Sequence, residues 1–379
     1  MAIPSEMPSP EVPQPEEPKP KPTPALKLTC VARFPRTRVL AWDGDVLYAS
    51  REYELVRCRA AEFPVLWEHV ARFSPVWWRK VTSASRLGFR LVRDGFHALG
   101  VLPSGDLIAA VPGAIAMLRP GEKDFRITHV LQRGTRPLNI AVTPDGRVFW
   151  GEYFDNPGRN AVHIYGSDDR GASWKVVYSF EKKAIRHVHN IVYDRWADCF
   201  WVLTGDIDGE CRVLRASLDF SRVESVISGN QQARAVAAVP KKDGLYFASD
   251  TPLEQNYIYK LDRQGNLARL AEIHASVLCG CAVGDAVFFT TMIEPSAVNL
   301  DRTVSVYGSA DDAAWPRLQS WKKDRWSEKL FQYGNAFLAA GSNTTDLVAA
   351  TSIAVEGHDM EASLWQMEMI YAGLGEQRS

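Results

Sequence analysis

From Leu26 onward the chain alternates short apolar runs with turn residues, and few stretches hold apolar residues at helical spacing. The clearest runs are "DGDVLYAS", "SGDLIAAV", "DGRVFWGEY", "DCFWVLTGD", "DGLYFASD" and "GDAVFFTT", each a turn followed by a β-rich segment. Turns of this kind between apolar segments predict β-hairpins. The hairpins recur about every 45–60 residues, the spacing of a repeat architecture.

Superimposing the repeats gives a unit of four strands. "LNIAVTPDGRVFWGEY" supplies two of them, and "AVHIYGSDDRGASWKVVYSF" supplies the third and fourth. Units begin near Val39, Phe96, Leu138, Asn190, Val236, Leu278 and Asn335. The pattern predicts an all-β, seven-bladed β-propeller with four antiparallel strands per blade; six blades is the alternative if one unit is an insertion. The last unit lacks a fourth strand. "LKLTCVARF" (26–34) is free to supply it and to close the ring through the N-terminal strand. Closure protects the sheet edges that would otherwise invite pairing with other chains. The propeller is expected over 26–372. A disordered Pro-rich tail is expected over 1–25 and a flexible C-terminus over 373–379.

Composition narrows the field. Hydrophobic residues make up 46% and charged residues 23%, enough for a sizeable core. A net charge of −1 lacks the basic surplus of a general nucleic-acid binder. No apolar run is long enough to span a membrane, and a monomer is expected. No apolar leader precedes the tail, so the sequence as written reads as cytoplasmic; a removed signal would make it secreted, periplasmic or lipid-anchored. Six cysteines form no CxxC pair and are expected to be buried free thiols.

"SDDRGASW" (167–174) matches the pattern S-x-D-x-G-x-x-W through Ser167, Asp169, Gly171 and Trp174. It resembles the Asp box, or bacterial neuraminidase repeat (BNR), of sialidase-type carbohydrate-active propellers. "SADDAAW" (309–315) looks like a decayed copy. The resemblance implies a stapled turn between the third and fourth strands, with its Trp between blades and away from the ligand face.

In an antiparallel blade, the head of strand one and the end of strand two lie at the same end. Aligning the units on that geometry sorts the polar residues. His97, Arg136, His187, His189 and Arg234 come at or before strand one. Glu152, Tyr153, Asp206 and Asp250 close strand two, with Asn156, Arg159 and Asn256 in the loops beyond. One shared rim is therefore the expected ligand face. His187 and His189, two residues apart on a strand, point to the same side. His187, His189, Tyr153, Glu152 and Asp206 are the catalytic candidates, and His97, Arg136, Asn156, Arg159, Arg234, Asp250 and Asn256 the substrate-binding ones.

Guanidinium groups bind carboxylates in bidentate fashion, so Arg136 and Arg234 point to an acidic oligosaccharide or polysaccharide as partner. This rim looks more like that of the seven-bladed polysaccharide-lyase propellers than that of true sialidases. That likeness implies cleavage of a glycosidic bond by β-elimination. Sialidase-like hydrolysis, or glycan or protein binding without catalysis, are the alternatives. No cofactor is expected; a divalent metal at His97, His187 and His189 is the lesser alternative. Trp77 and Trp78 are expected to pack between blades, with a sugar-stacking platform or lid as the alternative.

Overall fold

A computed structural model describes residues 24–371. Strand pairing gives six sheets. Five are built mainly from consecutive antiparallel strands, over 38–72, 98–130, 141–180, 188–228 and 235–273. The first also takes Ala340–Asn343 in parallel beside Arg38–Gly44. The sixth has eight strands in two antiparallel runs. One covers 276–322, the other covers 335–371 with Pro24–Pro35, and Met292 opposite Asn335 joins them.

The innermost strands form a cycle. Arg38–Gly44, Ala98–Val101, Ala141–Val142, Val188–Asp194, Ala235–Lys241, Ser276–Val283 and Asn335–Leu338 each touch the next, and the last touches the first. The sheets thus stand around a central axis as a β-propeller. The first strands begin within a few residues of the expected repeat starts.

Burial explains the apolar runs. The second strands Leu107–Val111, Cys199–Thr204 and Gly244–Ser249 consist entirely of buried residues, covered on both faces by neighbouring sheets. Such strands read as continuous apolar text and do not alternate. Outermost strands such as Arg126–Val130 contain no buried residue. The core lies in the wedges between sheets: Phe149 meets Phe200 at 4.8 Å, and Phe200 stacks on Phe220 at 5.3 Å.

The 167–174 turn works as a staple. Gly171 N–H donates to Ser167 Oγ at 2.8 Å, and Ser173 N–H donates to Asp169 at 2.9 Å. Trp174 Nε1–H donates to Thr128 Oγ1 of the preceding sheet at 3.1 Å. Gly171 has φ +83° and sits where a Cβ would come within 2.3 Å of Ile108, so only glycine fits. In 309–315, Asp312 N–H donates to Ser309 Oγ and Trp315 is buried beside Phe289.

Several expectations need correction. Two short helices, α1 (Trp77–Ala84) and α2 (Arg86–Val92), link the first and second sheets. Trp77 is 77% exposed and Trp78 39% exposed, so neither packs between blades. The reason is that α1 is anchored by polar side chains: Arg79 and Thr82 donate to buried Asp94, leaving Trp77 and Val81 facing outward. All six cysteines are free, but only Cys58, Cys199 and Cys211 are buried. Cys30 is exposed on a sheet-edge strand, and Cys279 and Cys281 are half-buried on an innermost strand. The tail expected over 1–25 lies outside the described residues as far as residue 23, while Pro24 and Ala25 already pair in a strand. The C-terminus over 373–379 also lies outside them.

The N-terminal strand does close the ring. Pro24–Pro35 pairs antiparallel along Glu361–Tyr371, with a bulge between Cys30 and Ala32. Leu26 and Leu28 are buried there against a cluster containing Trp365 and Met367. A chain beginning at Arg36 should therefore melt at least roughly 10 °C lower, with a broadened transition in calorimetry. An unchanged melting curve would show that closure does not depend on this strand.

Candidate functional site

The axis of the ring holds a channel of about 1880 Å³. One end is lined by Arg38, Arg93, His97, Arg136, Tyr153, His189, Asp206, Arg234, Asp250 and Glu294. Strand geometry accounts for most of this list: strand-one heads and strand-two ends meet at one mouth.

His187 and His189 are buried on the strand Val188–Asp194 and at its head. His187 Nδ1 lies 3.1 Å from Phe154 O, and His189 Nδ1 lies 2.9 Å from Ala235 O. A carbonyl oxygen only accepts, so each Nδ1 carries a hydrogen, and in the neutral form of either ring the lone pair is on Nε2. The two Nε2 atoms are 3.1 Å apart. Asp206 completes the cluster, Oδ2 at 3.5 Å from His187 Nε2 and Oδ1 at 3.4 Å from His189 Nε2. Tyr153 lies over His187 with ring centroids 4.3 Å apart.

Asp206 follows Gly205, where a Cβ would press within 3.0 Å of His189 and Arg234. Its φ of +107° is a strained conformation for a residue with a side chain. The backbone is bent to hold this carboxylate under the imidazoles. Arg186 Nη1 lies 3.3 Å and Arg234 Nη2 3.5 Å from it, and Arg234 also reaches Asp250 at 3.6 Å.

Electrostatics divide the channel mouth. Burial works to raise the Asp206 pKa, but the two imidazoles beside it, His187 and His189, outweigh burial and hold the carboxyl far below its usual range. Asp250 behaves oppositely: burial, reinforced by Glu294 and Asp206, pushes it to about 8 against the pull of Arg234. Burial likewise raises Glu294 and Tyr153 and lowers His189. On the other side, burial lowers Arg136 to about 9, with Arg93 and Arg38 adding repulsion. Burial, then the charges of Arg136 and Arg38, holds His97 well below its ordinary value and therefore neutral. Among the described residues none of Arg38, Arg93 and Arg136 forms an ion pair with a carboxylate. Arg136 donates to Thr135 Oγ1, and Arg38 stacks over Phe337 with Nε unpartnered.

The structure brings together His187, His189, Tyr153, Asp206, Arg234 and Asp250, and places His97 and Arg136 in the same channel. Four candidates lie elsewhere. Glu152 is buried between Arg133, which grips both its oxygens, and the His163 N–H. Arg159 pairs with Glu210 of the next sheet. Asn156 braces its own loop through Asn160 and Arg186 O, and Asn256 is a buried hub with Ser249, Thr251 and Asn299. None of the four lines the channel. His97 does not join the other histidines: the clustered ligand-type atoms, all within 4.8 Å, belong to His187, His189 and Asp206. Its Nε2 is engaged with Arg93 O at 2.8 Å.

Sequence reasoning missed Arg38, Arg93 and Glu294. Arg38 heads a first strand and Glu294 follows a second one, so the same register rule would have found both. Arg93 comes from the turn after α2, an insertion without a counterpart in the other repeats.

No family model matches the chain, and no curated protein does. Solved structures do match its fold. A chain of "Crystal Structure of Mitotic Checkpoint Complex" is similar with TM-score 0.57 and 10% identity, covering 94% of this chain and 99% of that one. "Crystal structure of WD40 beta propeller domain of Doa1" is similar with TM-score 0.54 and 11% identity, covering 91% and 97%. At these identities the likeness establishes the β-propeller fold and nothing about chemistry. No helix among the described residues is long and apolar enough to cross a membrane.

Asp250 makes stability depend on pH. Its folded pKa of about 8 stands above the ordinary 3.8, so between those values the folded state binds more protons than the unfolded state. Its contribution to stability therefore falls as pH rises through that window. Asp250→Asn mimics the protonated carboxyl and should raise the melting temperature more at about pH 8 than at about pH 5. A difference independent of pH would show that Asp250 is ionised in the folded protein.

Proposed function

We propose that the protein binds an acidic glycan at this channel mouth and cleaves it by β-elimination. The observation that carries the reading is the trio Arg38, Arg93 and Arg136. These guanidiniums lack carboxylate partners and share the channel with Tyr153, His189 and Asp206. Arg38 and Arg136 are partly buried as well as unpaired, which is unfavourable unless a ligand supplies the anion, while Arg93 stands exposed beside them. A uronate carboxylate fits the guanidinium geometry. Neutralising that carboxylate acidifies the hydrogen on the adjacent carbon, which is what β-elimination requires.

The proton leaves to the His187–His189–Asp206 cluster, whose bare Nε2 atoms are its acceptors. The electron pair of the C–H bond forms the new double bond, and the C–O bond to the leaving sugar breaks onto its oxygen. Tyr153 and Asp250 both hold a proton at neutral pH and stand on the same rim to return one to that oxygen. Hydrolysis of the sialidase type finds less support, because Glu152 is occupied by Arg133 and is not free to assist Tyr153.

We read the eight-stranded sheet as two blades, since one residue pair joins its halves, which makes seven blades in all. The stapled turn at 167–174 supports the Asp-box resemblance of the carbohydrate-active propellers. Incubation with a panel of uronate-containing oligosaccharides should yield an unsaturated product followed by its ultraviolet absorbance. Arg136→Met should reduce the rate about 100-fold. Saturable glycan binding without unsaturated product from any member of the panel would overturn the cleavage reading.

A further inference from the structure

We propose that His187, His189 and Asp206 bind one divalent transition-metal ion of the Zn²⁺ type at the channel mouth. This goes beyond the glycan reading and does not rest on it; with the ion bound the Nε2 lone pairs are ligands, so they accept a proton only in the metal-free protein. Both Nδ1–H groups are spent on backbone carbonyls, at 3.1 Å from Phe154 O and 2.9 Å from Ala235 O. The Nε2 lone pairs therefore face each other across 3.1 Å. Two lone pairs do not approach so closely without a cation or a proton between them.

The spacing favours a metal. Ligand atoms about 2.0–2.1 Å from a tetrahedral ion stand about 3.3 Å from one another. The three separations here are 3.1 Å between the imidazoles and 3.5 and 3.4 Å from each imidazole to the carboxylate. The two carboxylate distances run to different oxygens, Oδ2 for His187 and Oδ1 for His189, so the carboxylate straddles the imidazole pair, and one ligand atom from each residue lies within 4.8 Å of the others, near the edges of that tetrahedron. Two imidazoles and a carboxylate suit a borderline cation. His189 and Asp206 line the channel, so the fourth position opens toward whatever enters it.

The surroundings have the features of a supported metal site. Each imidazole is oriented by a carbonyl on its second nitrogen, which fixes the tautomer and ring plane. The strained backbone at Asp206, φ +107°, holds the carboxylate in place. Arg186 and Arg234 also approach Asp206, but each is shared with a second carboxylate, Arg186 with Asp155 and Arg234 with Asp250. The charge of Arg186 is thus shared with Asp155 before an ion arrives.

The test uses untagged full-length protein stripped with a chelator and titrated with Zn²⁺ by calorimetry. Co²⁺ serves as a spectroscopic probe of coordination geometry. One equivalent of Zn²⁺ is expected, with intense visible Co²⁺ bands of a low-coordinate site. Asp206→Asn and His189→Ala should each weaken Zn²⁺ binding by more than roughly 100-fold while the far-ultraviolet circular dichroism stays that of the wild type. Absence of a saturable equivalent in the wild-type protein would overturn the proposal without recourse to any variant, and would leave a shared proton between the imidazoles. So would full binding retained in a folded His187→Ala/His189→Ala double variant.

Discussion

Ring closure is the constraint on which everything else depends. Each sheet buries its two faces against its neighbours, so no sheet has a core of its own, and the wedges fill only when the circle is complete. The described residues contain no disulfide to lock the circle. Closure falls instead to backbone pairing between Pro24–Pro35 and Glu361–Tyr371, and to Ala340–Asn343 lying parallel beside Arg38–Gly44. The site inherits this dependence. Arg38 comes from the first sheet and Glu294 from the last, and only the closed ring puts them in one channel.

Within that ring, distance from the axis decides what a charged residue does. Farther out, acids and arginines neutralise each other across neighbouring segments: Arg133 with Glu152 and Arg159 with Glu210. These pairs bind the sheets and loops together and leave nothing over for a ligand. At the channel mouth the charges are sorted instead. Arginines without carboxylate partners come from the first sheet, the helical linker and the head of the third sheet, and Asp206, Asp250 and Glu294 come from the sheets opposite, with Arg234 among them. The fold keeps the two groups apart because each side chain is fixed to a different inner strand, and the unspent charge is what a polar ligand can use.

The repeats made the sheets legible. Turn residues followed by doubly buried strands leave a strong mark in the text, and their period set the strand starts within a few residues. The same register located the height of each polar residue along the axis, which is why His187, His189, Asp206, Arg234 and Asp250 fell together. Height alone does not give the side. Glu152 and Tyr153 are adjacent at the end of an extended segment and point in opposite directions, so one turns outward to Arg133 and the other into the channel. Asn156, Arg159 and Asn256 lie where the chain travels outward to the third strand, which carries them off the axis. The helical insertion left no signal of this kind, because it occurs once and its Trp77 faces solvent where apolar text suggests a core.

The paired histidines also show how a structural role and an open one coexist in a single side chain. A residue that merely caps the head of a strand bonds a neighbouring loop, and the Nδ1 atoms of His187 and His189 do so through Phe154 O and Ala235 O. Those bonds tie the 188–228 sheet to the sheets on either side of it. A cap of that kind needs only one donor, however, and an asparagine can supply it, as Asn190 does toward Val236 O. Nothing in the capping role requires the second nitrogens to converge at 3.1 Å over a carboxylate held by a strained backbone. The Nδ1 bonds fix the rings, and fixed rings are what allow the Nε2 atoms to be held close to each other and to Asp206. The structural bonds are thus the means by which the other half of each imidazole is kept available.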